Sequence, residues 1–154
     1  MCAFGAHDLR TVRRLAQAGG QPVQPGVVRS GILSDEDARR RGTEDFARLL
    51  PDGLATNGHD LYTAYDGDET VGTLWLSVTE SAGGLESFVY ELAVHPDKQR
   101  RGYGRAIMRL AIDLCRQRGM VAMGLNVFGH NIGARALYDS LGFEVVSTSM
   151  KLTL

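Results

Sequence analysis

The chain has 154 residues, 44% hydrophobic and 23% charged, the size and balance of a single globular domain with room for a substantial core. A formal net charge of -1 argues against a general nucleic-acid binder, and no apolar run reaches the roughly 18 residues of a membrane span. Cys2 and Cys115 lack metal-ligand spacing, and the N-terminus, with His7, Asp8, Arg10, Arg13 and Arg14, has no signal-peptide core, so a reduced, cytoplasmic setting with no membrane partner is expected.

Taken in chain order, residues 9–18 read as a short helix, and Gly19 to Gly26 as a Gly/Pro-rich linker. Ser34-Asp35-Glu36-Asp37 places acids at a helix start, and Ala38 to Leu50 keeps helical spacing until Pro51. Arg39-Arg40-Arg41 on that helix reads as a solvated face. Leu61 to Tyr65 and Val71 to Val78 flank an Asp66-Gly67 turn, a hairpin signal. Trp75 on its second strand reads as sheet packing. A flexible Ser81-Ala82-Gly83-Gly84 loop then precedes a strand from Phe88 to Val94.

Period-2 alternation assigns Phe88, Tyr90, Leu92 and Val94 to one face of that strand and Val89, Glu91, Ala93 and His95 to the other. Tyr103, Ile107, Leu110, Ala111 and Leu114 form one helical stripe, ended by Gly119. Met120 to Val127 is a predicted strand, Ile132 to Leu141 a helix, and Phe143 to Ser147 and Ser149 to Leu152 closing strands. The alternation is that of an α+β domain.

The junction from Tyr90 to Arg105 carries the chemistry. A strand runs into a basic, glycine-punctuated turn that opens a helix, so successive backbone N–H groups and the helix N-terminus converge on one concavity. Gly102 and Gly104 let the backbone adopt φ > 0 and approach an anion closely, while Arg100, Arg101 and Arg105 add formal charge. Lys98 to Arg118 holds seven of the 17 basic residues in 21 positions, with Asp113 the one acid among them. Arg109, Arg116 and Arg118 lie away from the loop, and the last two suit a helix C-terminus. Ile107 stands where a Rossmann fingerprint needs glycine, and no Gly-Lys-Ser/Thr follows. On its own the turn is as compatible with a plain strand-to-helix connection as with pyrophosphate binding.

A second element lies about thirty residues on, in Asn131-Ile132-Gly133-Ala134-Arg135-Ala136-Leu137-Tyr138, closed by Gly142-Phe143. Together the Gln99-x-x-Gly102-x-Gly104 loop and the Asn131-x-x-Ala134-x-x-x-Tyr138 helix resemble the GNAT superfamily of N-acetyltransferases. The resemblance is specific over Phe88 to Phe143 and thin before Asp60. Leu-Leu-Pro-Asp-Gly-Leu at 49–54 and Val-Phe-Gly-His-Asn at 127–131 look like a bacterial branch of uncharacterised members. It implies one N-acetyltransferase domain over residues 1–154, a three-layer α+β fold with a mixed, mostly antiparallel sheet flanked by helices, and acetyl-CoA as co-substrate without a metal. It also implies a small-molecule or peptide amine as acceptor, and a homodimer is a common family arrangement. One departure stands out: Met1 to Gln21 offers no convincing first strand, so either Val27-Val28 replaces it or the strand is missing.

The resemblance further implies that Leu92, Ala93 and Val94 run beside pantetheine, that Gln99, Arg100, Arg101, Gly102, Tyr103, Gly104 and Arg105 hold the pyrophosphate, and that Asn131, Ala134 and Tyr138 lie beside pantetheine and thioester. Acetyl transfer to an amine needs an unprotonated nucleophile, a stabilised oxyanion and a proton for the departing thiolate. A lysine-like amine, with pKa near 10.4, is almost wholly protonated at pH 7, so a base is useful. Glu91, a carboxylate in an apolar strand, is the candidate base or amine-binding group, against a plain solvent or arginine contact. Tyr138 is the candidate general acid, against a core tyrosine beside Leu137 and Leu141. Asn131 suits a helix N-cap as well, and Cys115 is badly placed to carry an acyl group. The histidines show no metal spacing, and His130 reads as an exposed loop residue. A non-catalytic acyl-CoA-binding module is the alternative; it would need neither Glu91 nor Tyr138.

Overall fold

The computed structural model describes residues 11–14 and 48–154. They form a five-stranded sheet in the order β1-β2-β3-β4-β5, with β1 (Thr11–Arg14), β2 (His59–Asp66), β3 (Glu69–Ser81), β4 (Gly84–Val94) and β5 (Ala122–Leu125). The first four strands pair antiparallel and β5 joins β4 in parallel. Helix α1 (Tyr103–Gln117) links β4 to β5, and α2 (Ile132–Asp139) follows β5. This is the mixed α+β sheet that the sequence led us to expect.

Alternation on β2 and β3 sorts the core. Tyr62, Ala64, Leu74 and Leu76 face α1, which buries Ile107, Met108, Ala111 and Cys115 on them. Each large aliphatic side chain so buried contributes about 1.5–3 kcal/mol. On the opposite face, Leu61 and Trp75 pack with Leu50, Leu49 and Leu54. The predicted hairpin turn holds, with Asp66 opposite Glu69 and Gly67 at φ 62°. Gly119, at φ 73°, follows the end of α1 as expected.

Several expectations need correction. Residues 11–14 are a strand, not part of a helix, and supply the first strand that Met1 to Gln21 was not expected to offer; Thr11 and Val12 are β-branched, and the ladder with residues 62–65 of β2 defines the strand. Ser81 to Gly84 is a tight turn rather than a flexible loop, because Ser81 pairs with Gly84 across it and Ser81 Oγ accepts from the Gly83 N–H at 3.1 Å while donating to Glu86 Oε1 at 2.7 Å. Strand β4 consequently begins at Gly84. The strand expected over Met120 to Val127 contracts to Ala122–Leu125. Neither closing strand forms among the described residues, for residues 143–154 have no ladder partner there and expose Val145, Val146, Met150 and Leu152. β-propensity alone does not hold a strand without a neighbour. Arg118 caps the C-terminus of α1, as its position suggested, and from there pairs with the buried Asp60. The linker, Val27-Val28, the Arg39-Arg40-Arg41 run and residues 38–47 of the predicted helix lie outside the described residues; residues 48 and 49 are helical.

Candidate active site

The parallel ladder between β4 and β5 covers only Glu86 to Val89 against Ala122 to Leu125. Beyond Val89 the two strands part, leaving one edge of Tyr90 to Val94 open among the described residues. The ladder fixes which groups face that opening. His95 N–H donates to the Val71 carbonyl at 3.0 Å, so in the alternating antiparallel pattern Ala93 and Glu91 also bond toward β3. The N–H and C=O of Leu92 and the N–H of Val94 therefore point away from β3, into the gap. The Val94 carbonyl is already taken, accepting from Gln99 Nε2 at 3.1 Å.

That hydrogen bond folds the predicted phosphate loop back on the end of β4. Two residues of the loop have left-handed backbones, Arg100 at φ 59° and Gly102 at φ 89°. Only glycine adopts this without strain, so Arg100 is the costlier of the two. A Cβ at Gly102 would meet nothing within 4 Å; the space before it is open, as an anion site requires. Arg100, Arg101 and Arg105 form no ion pair with any described residue, so their charge is available. Lys98 is different, since its Nζ pairs with Glu69 at 2.7 Å and clamps the loop to the β2–β3 hairpin.

Tyr103, expected at the pyrophosphate, instead buries its ring, and its hydroxyl donates to Asp66 Oδ2 at 2.7 Å. What it retains toward the loop is its backbone N–H. The Asp66 hydrogen bond, with burial, raises the tyrosine pKa above its ordinary value. Gly104 lies between Val94 and Leu137, where a Cβ would come 3.8 and 3.5 Å from their side chains. The end of β4, the start of α1 and helix α2 thus converge at one point.

Helix α2 begins as expected, with Asn131 Oδ1 accepting from the Ala134 N–H at 3.1 Å. Its capping role is thereby observed, and its amide NH2 is left over. Ala134 is half-buried on the same helix. Tyr138 is half-buried against the α1 core and meets Phe143 edge-on at 5.7 Å. Its hydroxyl makes no hydrogen bond to a described residue, and desolvation raises its pKa.

Glu91 sits where β4 is irregular. Leu76 pairs with Val89 and Trp75 with Glu91, so Tyr90 is an extra residue, a β-bulge. The bulge corrects the simple alternation. Val89, Leu92 and Val94 all pack on the α1 side, which leaves both Tyr90 and Glu91, between Val89 and Leu92, on the opposite face with Trp75. The candidate base and the candidate acid accordingly lie on opposite faces of the sheet, with the open edge of Leu92 to Val94 between them. Cys115 is buried in α1, 3.4 Å from Ser87 Oγ, away from that edge.

The profile of the acetyltransferase (GNAT) family matches residues 30–143. The chain belongs to this family. It is 30% identical to the uncharacterised N-acetyltransferase YycN of Bacillus subtilis over 82% of both chains. The crystal structure of YycN superposes with a TM-score of 0.73 over 80% of each. It is also 42% identical to the mycothiol acetyltransferase of Beutenbergia cavernae over 76% of its own length but only 36% of that longer protein. With the [ribosomal protein bS18]-alanine N-acetyltransferase of Escherichia coli K12 it shares 45% identity over 59 residues, 38% of this chain and 40% of the other. The protein is therefore an acyltransferase of this fold. Among its described residues no helix is long and apolar enough to cross a membrane.

Three residues of this acetyltransferase that bear on the site escape motif reading. Asp66 anchors Tyr103, and in sequence it signals only a turn. Gly72 admits the Ala93 carbonyl, since a Cβ there would lie 2.3 Å from that oxygen; an isolated glycine within a strand is a sign of close backbone approach. Tyr90, read as one more alternating residue, is instead the bulge. His130 is exposed as expected and stacks on Phe128 with centroids 5.6 Å apart.

Proposed function

We propose that this protein is a single-domain, acetyl-CoA-dependent N-acetyltransferase that acetylates a primary amine by direct attack in a ternary complex. The reading rests above all on the open β4 edge, flanked by Glu91 on one face and Tyr138 on the other. Acetyl-CoA would supply an acyl group on a thiol leaving group. The loop from Gln99 to Arg105 would bind its pyrophosphate through backbone N–H groups and three arginines, with Asn131 and Ala134 beside the pantetheine arm. Leu92, Ala93 and Val94 would align that arm as an added strand, and one outward N–H of Leu92 or Val94 would polarise the thioester carbonyl.

Glu91 then binds the incoming ammonium and takes its proton, directly or through water. From the other face, Tyr138 donates its phenolic proton to the departing sulfur. Attack and departure from opposite sides of one edge need no acyl-enzyme, in keeping with the buried Cys115.

The experiment is calorimetric titration with acetyl-CoA and with CoA, repeated on Gly102→Asp, followed by an amine screen with wild type, Glu91→Gln and Tyr138→Phe. Micromolar binding abolished by Gly102→Asp, with turnover lost in the other two, is the expected result. No binding by the wild type would sink the reading. Binding with no turnover across the screen, unaffected by either variant, would favour an acyl-CoA-sensing module.

A further inference from the structure

The bulge in β4 places more than a carboxylate on the face opposite α1. Tyr90 stacks on Trp75 with ring centroids 4.9 Å apart and planes 26° from parallel. Phe88 meets Tyr90 at 5.3 Å and 69°. His59 joins both, at 5.7 Å from Trp75 and 5.6 Å from Tyr90.

The cluster is rigid at its base. Trp75 Nε1–H donates to His59 Nδ1 at 2.9 Å, which fixes the imidazole as an acceptor. Burial holds the His59 pKa below its ordinary value, against a smaller opposing pull from Asp60, so the ring is neutral at pH 7. Trp75 is buried at its foot, packed on Leu50 and Leu61. Tyr90, by contrast, is 43% exposed.

The chemistry that fits follows from what the cluster offers. It presents π surface and, through the neighbouring Glu91, one carboxylate. The nearest acid along β2, Asp60, belongs to the opposite face and is held by Arg118. A polyamine would need a second anionic contact on this face, where among the described residues of β4 Glu86 already accepts from Ser81 Oγ at 2.7 Å. A flat ring needs only a stacking partner, worth about 0.5–1.5 kcal/mol beyond the area it buries.

We infer that Tyr90 and Glu91, brought to one face by the bulge, form an acceptor subsite for a primary amine that carries an aromatic ring, the ring on Tyr90 and the amine at Glu91. This rests on the N-acetyltransferase reading above. The subsite makes Tyr90 a specificity-determining residue, one that acts on acceptor binding and not on the cofactor.

The test compares phenethylamine, butylamine and spermidine as acceptors at saturating acetyl-CoA, in wild type, Tyr90→Ala and Tyr90→Phe. Trp75 is the chain's only tryptophan, so phenethylamine binding is also read directly from its emission. The expected result is a kcat/KM for phenethylamine at least about tenfold above that for the other two, the product of stacking and ring burial. Tyr90→Ala should collapse that ratio through KM, Tyr90→Phe should retain it, and CoA affinity should be the same in all three. Equal use of butylamine and phenethylamine by a wild type that binds CoA would overturn the subsite alone, as would a preference that survives Tyr90→Ala. A wild type that binds no CoA would bring down the acetyltransferase reading, and the subsite with it.

Discussion

The hydroxyl of Tyr103 donates to Asp66 Oδ2 across 2.7 Å, tying the first residue of α1 to the turn between β2 and β3. The same hairpin holds Lys98 through Glu69. The candidate phosphate loop is thus fastened on both sides to one rigid turn, and its geometry does not depend on the loop's own sequence alone.

Tyr103→Phe should therefore loosen the loop without removing any group that touches a ligand. A hydrogen bond to a charged partner contributes about 1.5–3 kcal/mol, so a stability loss near the lower end is expected, with a severalfold rise in KM for acetyl-CoA and little change in kcat. The pH dependence has a definite sign. A tyrosine whose folded pKa is raised contributes stability that is fully present below its unfolded pKa, about 10, and is lost as pH climbs through the raised value. The gap in Tm between wild type and Tyr103→Phe should be constant at neutral pH and shrink above about pH 10. A gap that persists at high pH would show that the hydroxyl is not the source of the difference.

The pair formed by Arg118 and Asp60 carries a second prediction. Asp60 is only 6% exposed, while the arginine side chain is 39% exposed. Breaking a fully buried pair from one side costs about 3–5 kcal/mol; partial solvation of the arginine reduces this. Arg118→Gln should lose about 2 kcal/mol in urea unfolding, and Arg118→Lys should restore part of it. An unchanged midpoint in Arg118→Gln would show the pair to be ornamental.

Gly72→Ala probes the shape of the cleft. Its new Cβ would stand 2.3 Å from the Ala93 carbonyl oxygen and 3.2 Å from Ile107 Cδ1, so β4 must move away from β3 beside the open edge. Overpacking of this kind typically costs about 1–3 kcal/mol. Since the displaced backbone is the one proposed to align pantetheine, KM for acetyl-CoA should rise beyond what the same loss of stability produces in Arg118→Gln. Equal kinetic effects in the two variants would disconnect Gly72 from the site.

Sequence reading located the loop and the α2 helix because both announce themselves locally, by glycines at a turn and by a cap three residues before its bonded N–H. The core stripe of α1 was legible for the same reason, since its period lies within one element. What escaped depends on pairing. Strand β1 is only four residues, too short for Thr11 and Val12 to announce it, and pairing with β2 makes it a strand. The bulge is a mismatch in count between β3 and β4, invisible in either strand alone, yet it reverses the face of Glu91's neighbours and places Tyr90 beside it. Tyr103 and Arg118 were read from their own helix, and their partners lie 37 and 58 residues away. The closing strands were expected from composition, and composition does not supply a ladder.

Tyr138 separates catalysis from binding most directly. Desolvation raises its pKa, so its phenol remains protonated throughout the range in which an amine acceptor is turned over. Tyr138→Phe keeps the ring packed against the α1 core and its contact with Phe143 while deleting the proton donor. A positioned general acid contributes about 10²–10⁴-fold, and kcat should fall toward the lower part of that range because water reaches a half-buried site. KM for acetyl-CoA and Tm should barely move. In the wild type, the alkaline limb of the kcat profile assigned to this group should lie above the usual tyrosine range, near 10, and vanish in Tyr138→Phe. A variant with wild-type kcat would return Tyr138 to the role of a core residue and leave protonation of the thiolate to water.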